Sequence, residues 1–280
     1  MNTPPYAVEN YTLNRYEEKY REFNRRKKQL LHNRFIIWTI IAVLVIWSWI
    51  GTNFNMMDLF LGTAHISVFI FQDMLPPDLS TIGSFIGPAL DTLYMSYIGL
   101  FFSVFFSLMF GVMAARSTTI HPVIAFLSRS FITFLRSIPA IVWGILLVAA
   151  IGLGPLAGTL ALGLSGIGIL GRAFADLLEE IDQHQIDAVR ATGANWFQTI
   201  GQGVWPQFKP GFVSWSLYKM DLNIREAAVL GVVGAGGIGY ALEGSISLFQ
   251  YQEATVGILM IFVLILLVEF TTAKIREKIL

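Results

Sequence analysis

Cysteine is absent from the 280 residues, which excludes disulfide frameworks, thiolate zinc sites, attached haem and iron–sulfur clusters. Only four histidines are present, each isolated along the chain, so a metal centre is not indicated. The sequence also lacks the glycine-rich G-x-x-x-x-G-K-S/T loop that cradles nucleotide phosphates, and it shows no Ser, His and Asp arrangement. We therefore predict no catalytic residues, no metal ligands and no cofactor bound by this chain.

Charged residues are also scarce. They make up 14% of the chain, against about a quarter in soluble proteins, while hydrophobic residues make up 55% and mean hydropathy is +0.62. The 19 basic and 19 acidic side chains give a formal net charge of zero, which excludes a strongly basic nucleic-acid-binding protein. This composition predicts an integral membrane protein whose partners include the lipid bilayer and no nucleic acid.

The basic residues are unevenly distributed. Eight of the 19 lie between Arg15 and Arg34, and none lies between residues 35 and 115. A secretory signal peptide has a short basic start and a cleavage site of small residues, whereas here a polar arm of 34 residues precedes an apolar stretch. We predict that residues 1–34 remain as a cytoplasmic basic arm and that residues 35–53 form the first transmembrane helix.

Apolar stretches predict six transmembrane helices, since a bilayer core of roughly 30 Å takes about 20 helical residues to cross. Gly152, Gly154 and Pro155 interrupt one long uncharged stretch and predict a tight turn between two spans. The predicted fold is an all-α integral membrane protein with an external segment at 54–91 and a cytoplasmic tail at 276–280. After the first helix, the predicted spans are 92–115, 136–151, 155–172, 211–233 and 254–273.

An even number of spans places both termini on the same side of the membrane. With both termini cytoplasmic, the predicted inner segments contain 17 of the 19 Lys and Arg residues, and the outer segments at 53–91, 152–155 and 238–253 contain none. Arg129 and Arg136, one heptad apart, are predicted to bind anionic lipid at the inner surface rather than to act in a gate. The other two basic residues, Lys219 and Arg225, both lie in the fifth span, so their position within the membrane needs another explanation.

The predicted inner loop at 181–210 is too long for a simple connection. Apolar side chains recur through it at helical spacing, so one face of a helix could bind an apolar surface. Periodicity alone leaves open whether that surface is the membrane or a groove on a partner protein. The positions on the apolar face are Ile186, Val189, Gly193, Trp196, Phe197 and Ile200.

The same loop resembles the E-A-A-x-x-x-G-x9-I-x-L-P loop of ABC importer permeases. The glycine of that motif is Gly193, and its proline is Pro206, thirteen residues later. Asp187 replaces the usual Glu and Val189 the second Ala, while Gly and Trp occupy the usual Ile and Leu positions. The resemblance implies a short coupling helix that docks in a cleft of a cytoplasmic ATPase. The residues that it assigns to this role are Asp187, Ala188, Arg190, Gly193, Ala194 and Pro206.

Further motifs between residues 70 and 275 resemble one subfamily, the permease subunit of phosphonate-type importers. The resemblance implies a five-helix permease core at 92–275, preceded by one additional N-terminal helix. It also implies four kinds of partner or environment: a second permease copy or paralogue, two cytoplasmic ABC ATPase subunits that bind ATP and Mg, an external phosphonate-type substrate-binding protein, and the bacterial cytoplasmic (inner) membrane. The motifs are Leu75-Pro76-Pro77-Asp78-Leu79-Ser80, Arg136-Ser137-Ile138-Pro139-Ala140, Val148 to Gly158, Ser216-Leu217-Tyr218 and Val233 to Gly239.

Four ionisable residues, Lys219, Asp221, Arg225 and Glu226, make the fifth span unusual. An ionisable residue near the bilayer centre costs roughly 2.5–3.5 kcal/mol on insertion scales, so it usually faces a partner or a water-filled path. Asp221 and Arg225 can pair on one helix face, and Lys219 is close enough to the inner end to snorkel. Two interpretations stay open: the charges neutralise each other inside a packed bundle, or all four line a translocation pathway for an oxyanion.

Proline and glycine mark the candidate helix breaks. Here they either let two backbones approach closely or break a helix near the external mouth, where the break could act as a gate. The glycine-rich stretch also matches G-x-G-x-x-G, but a dinucleotide site requires a βαβ unit, which the following span excludes. The predicted break or gate residues are Pro139, Gly234, Gly236, Gly237 and Gly239.

The sequence leaves two alternatives to a phosphonate importer. One is an importer for a different oxyanion, such as phosphate or phosphite. The other is an intramembrane enzyme, which would turn over substrate without an ATPase. In importers of this family, selectivity rests largely with the binding protein, so the permease sequence does not name its substrate.

Overall fold

The computed structural model describes the backbone of residues 5–52 and 54–279 and the side chains of residues 26–52 and 54–278. These residues form helices, turns and loops, and no β-strand occurs among them. The predicted all-α fold is therefore confirmed. The chain divides into two units, Met1–Ser67 and Val68–Leu280.

The first unit consists mainly of helix α1, Pro5–Gly51, followed by helix α2, Met56–Val68, whose last residue begins the second unit. α1 runs without a break from the predicted basic arm into the predicted first span, although residues 1–4 of the arm lie outside the described backbone. Its part Arg26–Gly51 is long and apolar enough to cross a membrane. α2 lies in the predicted external segment, where the Asn55 side chain accepts a hydrogen bond from the Met57 N–H at 3.0 Å.

The second unit contains nine α-helices and three short helical turns. A π turn, Phe69–Met74, and a 3-10 turn, Leu79–Thr81, precede the first long helix, and a second π turn, Ile200–Val204, precedes α9. The helices are α3 (Ile82–Ala114), α4 (Pro122–Ser137), α5 (Ala140–Ile151), α6 (Pro155–Glu179), α7 (Gln183–Ala191), α8 (Trp196–Thr199), α9 (Trp205–Val232), α10 (Ile238–Ser247) and α11 (Tyr251–Ile279).

Helices α3 and α6 share the most extensive contact in this unit, and α9 packs against both. Small residues allow the approach: a Cβ added to Gly99 would lie 2.9 Å from the Cβ of Leu162, and one added to Gly111 would lie 3.1 Å from the Cβ of Phe174. The buried Ser103 hydroxyl donates to the Gly99 carbonyl at 2.7 Å. In a membrane, such close backbone packing and satisfied hydroxyl groups take the place of a hydrophobic driving force.

The helices differ in extent from the predicted spans. α3 begins ten residues before residue 92 and α9 six residues before residue 211, because the predicted spans began after a charged or proline residue, Asp91 and Pro210, that the helices in fact contain. The third predicted span, 136–151, is interrupted: α4 and α5 meet at an angle of 88°, and α5 has only 12 residues. At 1.5 Å per residue, α5 is about 18 Å long, too short to cross a bilayer alone.

Among the described residues, four helices are long and apolar enough to cross a membrane, and the number rises to five if α4 and α5 together form one broken span. The four are Arg26–Gly51, Leu79–Ala114, Pro155–Glu179 and Tyr251–Lys278. Helix α9, the predicted fifth span, is not among them. It contains five charged residues, and four of them lie in its middle part, so it has no uncharged stretch long enough to cross a membrane, although it packs against α3, α6, α10 and α11. A total of six spans stays a prediction.

Candidate functional site

The predicted coupling loop forms two short helices joined by a tight turn. Asp182 caps α7, because its side chain accepts a hydrogen bond from the His184 N–H at 2.9 Å. After α7, the Gly193 N–H donates to the Arg190 carbonyl at 2.9 Å, and Gly193 adopts a φ of 81°. Only glycine takes this left-handed conformation without strain, so the glycine of the motif makes the turn.

Helix α8 begins with a capping box that the sequence encodes locally. The Asn195 side chain accepts from the Gln198 N–H at 3.0 Å, and the Gln198 side chain accepts from the Asn195 N–H at 2.9 Å. The π turn then leads directly into α9.

The apolar face predicted for the loop is divided between two environments. Ile186 is buried in a cluster that includes Ala114, Phe174 and Phe208. Trp196 and Phe197, in contrast, are 67% and 79% exposed, with their rings in edge-to-face contact at 4.9 Å. The prediction of one continuous apolar face is wrong, because the left-handed turn at residue 193 interrupts the helical period on which it depends.

The predicted coupling residues lie on the accessible side of this segment. Asp187, Ala188, Arg190 and Gly193 are exposed, and Ala194 is half-buried. The Arg190 guanidinium lies 3.7 Å from the Asp187 carboxylate, and both side chains are more than 60% exposed, so the pair leaves them available to a partner. Pro206 is exposed in the first turn of α9, where its missing N–H costs no hydrogen bond.

The four charged residues of the predicted fifth span form two ion pairs on α9. The Lys219 side chain is completely buried, and its Nζ donates to Glu226 Oε2 at 2.8 Å. Its stem packs beside α6, since a Cβ added to Gly166 would lie 3.0 Å from Lys219 Cε. The prediction that Lys219 snorkels to the inner end is therefore wrong: a carboxylate two turns along the same helix holds the ammonium group inside the bundle.

Asn223 lies on the same buried face as Lys219 and is also completely buried. Its Nδ2 donates to the Ser96 carbonyl on α3 at 3.1 Å, while its Oδ1 has no hydrogen-bond partner among the described residues. This asparagine ties α9 to α3 in the interior. The sequence offers one signal for it, an amide in an apolar span one turn from Lys219, but we did not predict a role for it.

The second pair joins Arg225 to Asp221. Arg225 Nη2 lies 2.9 Å from an Asp221 carboxylate oxygen, as the four-residue spacing predicts, and 4.0 Å from Glu269 Oε2 on α11. The Arg225 side chain is 48% exposed and Glu269 60%. One guanidinium thus faces two carboxylates, so the three groups carry a formal net charge of −1. Glu226, the remaining charged residue of the predicted fifth span, is paired with Lys219.

The predicted helix breaks coincide with turns in the structure. Pro139 is the N-cap residue of α5, next to the bend between α4 and α5. Gly234, Gly236 and Gly237 all have positive φ and connect α9 to α10. Gly239 lies inside α10 and serves a different purpose, since a Cβ there would collide with the Ala228 backbone. Glycine in this stretch both breaks a helix and allows close packing.

The glycine connection also borders a cavity of about 320 Å³. Gly236 and Gly237 form one side, Pro155 another, and Asp91 and Tyr240 contribute polar groups. The Ile238 N–H donates to the Thr92 hydroxyl of α3 at 2.8 Å and closes the base of the connection. Among residues 26–52 and 54–278, no cluster of His, Asp or Glu is arranged to hold a metal ion.

Comparison with known proteins identifies the family. Residues 107–278 match the family described as binding-protein-dependent transport system inner membrane component. The match includes α7, the Gly193 turn and α9, the elements that carry the predicted coupling and charged residues.

Curated relatives of this chain are transport permeases. The chain is 40% identical over 205 residues to the phosphite transport system permease protein PtxC of Stutzerimonas stutzeri, covering 73% of this chain and 74% of that protein. It is 37% identical over 213 residues to the phosphate-import permease protein PhnE of Mycolicibacterium smegmatis, covering 76% of this chain and 40% of that protein. A putative phosphite transport system permease protein of Stutzerimonas stutzeri, HtxC, is 30% identical and covers 91% of this chain and 89% of its own length.

Solved structures share the fold. The inward-facing MetNI methionine ABC transporter has a chain that matches with a TM-score of 0.63 and 22% identity, covering 72% of this chain and 99% of that chain. A bacterial ABC transporter that imports alginate matches with a TM-score of 0.59 and 13% identity, covering 91% and 99%. Membership in this family argues against the alternative of an intramembrane enzyme. This chain belongs to the binding-protein-dependent transport system inner membrane components, as an ABC importer permease whose ATPase is a separate subunit.

Proposed function

We propose that the chain is the membrane subunit of an importer that moves a phosphonate-type oxyanion from an external binding protein to the cytoplasm of a bacterium. The observation that carries the proposal is the segment from α7 to α9. It presents Asp187, Arg190 and the Gly193 turn to a partner, while Ile186 is buried among the ends of the long helices. An exposed surface that is joined to the helix bundle in this way suits the transfer of movement from an ATPase.

The proposed assembly contains two copies of this chain, or this chain and a paralogue, with two cytoplasmic ATPase subunits. ATP and Mg are bound by those subunits, and this chain binds no cofactor. Both termini face the cytoplasm, because that topology places the basic residues on the inner side of the cytoplasmic membrane. The external binding protein supplies the substrate.

Coupling in this assembly runs through the turn. Trp196 and Phe197 form an exposed aromatic surface beside Gly193 and Ala194, and aromatic side chains of this kind often anchor protein interfaces. Pro206, in the first turn of α9, lies where the coupling segment joins that helix. Asp187, Ala188 and Arg190 complete the surface that meets the ATPase.

The translocation pathway passes the exposed pair of Arg225 and Asp221. An oxyanion cannot enter hydrocarbon, so its route needs water and hydrogen-bond donors. Since Asp221 and Glu269 outweigh the charge of Arg225, the guanidinium supplies donors rather than a strong positive potential, and binding stays weak enough for release. Glu226, also on α9, is partly exposed and lines the pathway. Lys219 is buried, and its ion pair with Glu226 holds that carboxylate in position.

The gate lies at the helix breaks. Pro139, whose ring fixes its φ, keeps the 88° bend in place. Gly234, Gly236 and Gly237 form a connection without regular helical hydrogen bonds, so this connection can change its backbone angles at low cost. Gly239 keeps α10 packed on α9 while the connection moves.

A second class of substrate is favoured by the relatives, because two of them are named for phosphite and one for phosphate. Phosphonate, phosphite and phosphate share a tetrahedral phosphorus with anionic oxygens. The permease presents the same hydrogen-bond donors to each anion, so the choice among them is made earlier, by the binding protein.

Uptake by the reconstituted importer tests the proposal. Proteoliposomes containing the chain and its ATPase, with the binding protein outside and ATP inside, should accumulate labelled methylphosphonate, and none should accumulate without ATP. Excess phosphite and phosphate are the competitors. Uptake of phosphite alone, with no uptake of methylphosphonate, would replace phosphonate by phosphite as the substrate. No uptake of any of the three would refute an oxyanion importer.

A further inference from the structure

Arg129, in the middle of α4, joins that helix to the ends of α3 and α6. Its Nε donates to the Ala114 carbonyl, the last residue of α3, at 2.8 Å, and its Nη2 donates to the Glu179 carboxylate, the last residue of α6. The prediction that Arg129 binds anionic lipid is therefore not what the structure presents. One guanidinium bonds to two other helices in a fork that only arginine supplies.

Glu179 completes the arrangement from the other side. The carboxylate oxygen that pairs with Arg129 also accepts a hydrogen bond from the Arg116 N–H at 2.7 Å. One residue earlier on α6, the Leu178 carbonyl accepts from the Ser117 hydroxyl at 2.9 Å. Arg129 and Glu179 are 27% and 31% exposed, so water screens this pair less than a fully exposed one. We call these two side chains, with the Ala114 carbonyl and the Arg116 N–H, the Arg129–Glu179 bridge.

The bridge lies along the edge of the apolar cluster that holds the coupling segment. Ala114 and Leu178, which flank the bridge, belong to the same cluster as Ile186 of α7. Ile132, one turn from Arg129, belongs to it as well. Apolar contacts resist separation but are not directional, so they permit sliding. The directional hydrogen bonds of the bridge fix the position of α4 relative to α3 and α6.

We propose that Arg129 and Glu179 are positioning residues for transport: they lock the ends of α3 and α6 to the middle of α4, so that displacement of α7 moves the three helices as one body. The inference rests on the proposed function, since it assumes that an ATPase displaces α7. Without the bridge, α7 still docks, but part of its displacement is lost as sliding between α4 and its neighbours.

The first test measures substrate transported per ATP hydrolysed in the reconstituted importer. Arg129→Gln and Glu179→Gln should each retain the bound ATPase and its hydrolysis, while transport per ATP falls roughly 2- to 30-fold, the range seen when such coupling networks are altered. Arg129→Lys keeps the charge but cannot make both bonds, so it should restore only part of the ratio. Because the bridge acts as a unit, the double variant Arg129→Gln with Glu179→Gln should be no worse than either single one.

Arg172 provides the matched control. It pairs with Asp176 at 2.8 Å on α6 itself, within a single helix, so Arg172→Gln removes a nearby arginine without loosening the bundle. Its transport per ATP should equal that of the wild type. Unchanged ratios in both bridge variants, additive losses in the double variant, or an equal loss in Arg172→Gln would each overturn the proposal. If transport per ATP in Arg129→Gln falls by an amount that depends on the anionic lipid content of the vesicles, while Glu179→Gln has no effect, Arg129 binds lipid instead.

The second test needs no substrate. The chain has no cysteine, so Gln185→Cys on α7 and Ile120→Cys, on an exposed site between α3 and α4, can be spin-labelled in the chain bound to its ATPase. The distribution of distances between the labels should be narrow in the wild type and in Arg172→Gln, and broad in Arg129→Gln. A broad distribution without uptake of any oxyanion would support the bridge and refute the proposed substrate. A narrow distribution in Arg129→Gln would overturn the bridge whatever the substrate is.

Discussion

The two basic residues in the middle of α9, Lys219 and Arg225, differ in what surrounds them. Lys219 is enclosed and has one counter-ion, Glu226, at 2.8 Å. Arg225 is half exposed and lies near two carboxylates. A buried ion pair contributes little net stability, but removing one partner leaves a charge without compensation in a medium of low dielectric. Substitutions at these positions therefore test whether Lys219 is structural and whether Arg225 contacts the substrate, as we propose.

Glu226→Gln should destabilise the chain, because it leaves the Lys219 ammonium group buried without a counter-ion. The expected loss is about 3–5 kcal/mol, the cost of breaking a buried pair. Thermal unfolding of the detergent-solubilised importer measures it as a lower midpoint. Lys219→Met combined with Glu226→Gln should recover most of the stability, and a double variant as unstable as the single one would contradict this structural role.

Arg225 is tested by removing its charge together with that of Asp221. If the two only neutralise each other, Asp221→Asn with Arg225→Gln should transport at a nearly normal rate. If Arg225 donates hydrogen bonds to the passing oxyanion, the double variant should assemble and hydrolyse ATP in response to the binding protein but take up substrate slowly. We expect the second result. Arg225→Lys, which keeps a donor at this position, is the control and should retain more uptake than the double variant.

At the scale of elements, the turn at Gly193 sets the orientation of α7 relative to α8. The turn requires a left-handed residue at 193, and a Cβ there would meet no atom of this chain within 4 Å. Space within the chain is thus open, and any contact that forbids a side chain at this position must come from the partner. Asn and Asp adopt left-handed conformations more readily than other non-glycine residues, so they add a side chain at low backbone cost.

Gly193→Asp and Gly193→Asn should both abolish uptake while leaving membrane insertion intact, because either side chain would enter the contact with the ATPase. Co-purification of the ATPase and uptake by proteoliposomes measure the effect. Gly201→Asn is the matched control, since Gly201 is exposed in the same segment, has open space around it and does not have positive φ. Wild-type uptake by Gly193→Asp with the ATPase bound would remove this turn from the coupling path.

At the scale of the whole molecule, the predicted topology assigns each loop to one side of the membrane. The cysteine-free chain allows single cysteines to report the side directly. Cysteines at Asn14 and Lys278 should react only with membrane-permeant thiol reagents in intact cells, and cysteines at Asp78 and Glu243 should react with impermeant ones as well. Labelling of residue 14 by an impermeant reagent would contradict cytoplasmic termini and six spans.

The sequence by itself determined what depends on composition and on neighbours along the chain. Scarce charge and long apolar stretches specify a helical membrane protein, since only residues of that kind can lie in hydrocarbon. The pairing of Arg225 with Asp221 and the capping box of α8 follow from spacings of three or four residues. The glycine and proline positions mark the turns for the same local reason.

Only the tertiary structure decided which surfaces the helices bury. It placed Ile186 in the bundle and left Trp196 and Phe197 exposed, although helical spacing predicted that the three share one apolar face. It paired Lys219 with Glu226 inside the bundle and Arg129 with Glu179, fifty residues away. Contacts of this kind depend on the distances between packed helices, which no local pattern specifies, because each helix can turn the same residues toward lipid, water or protein.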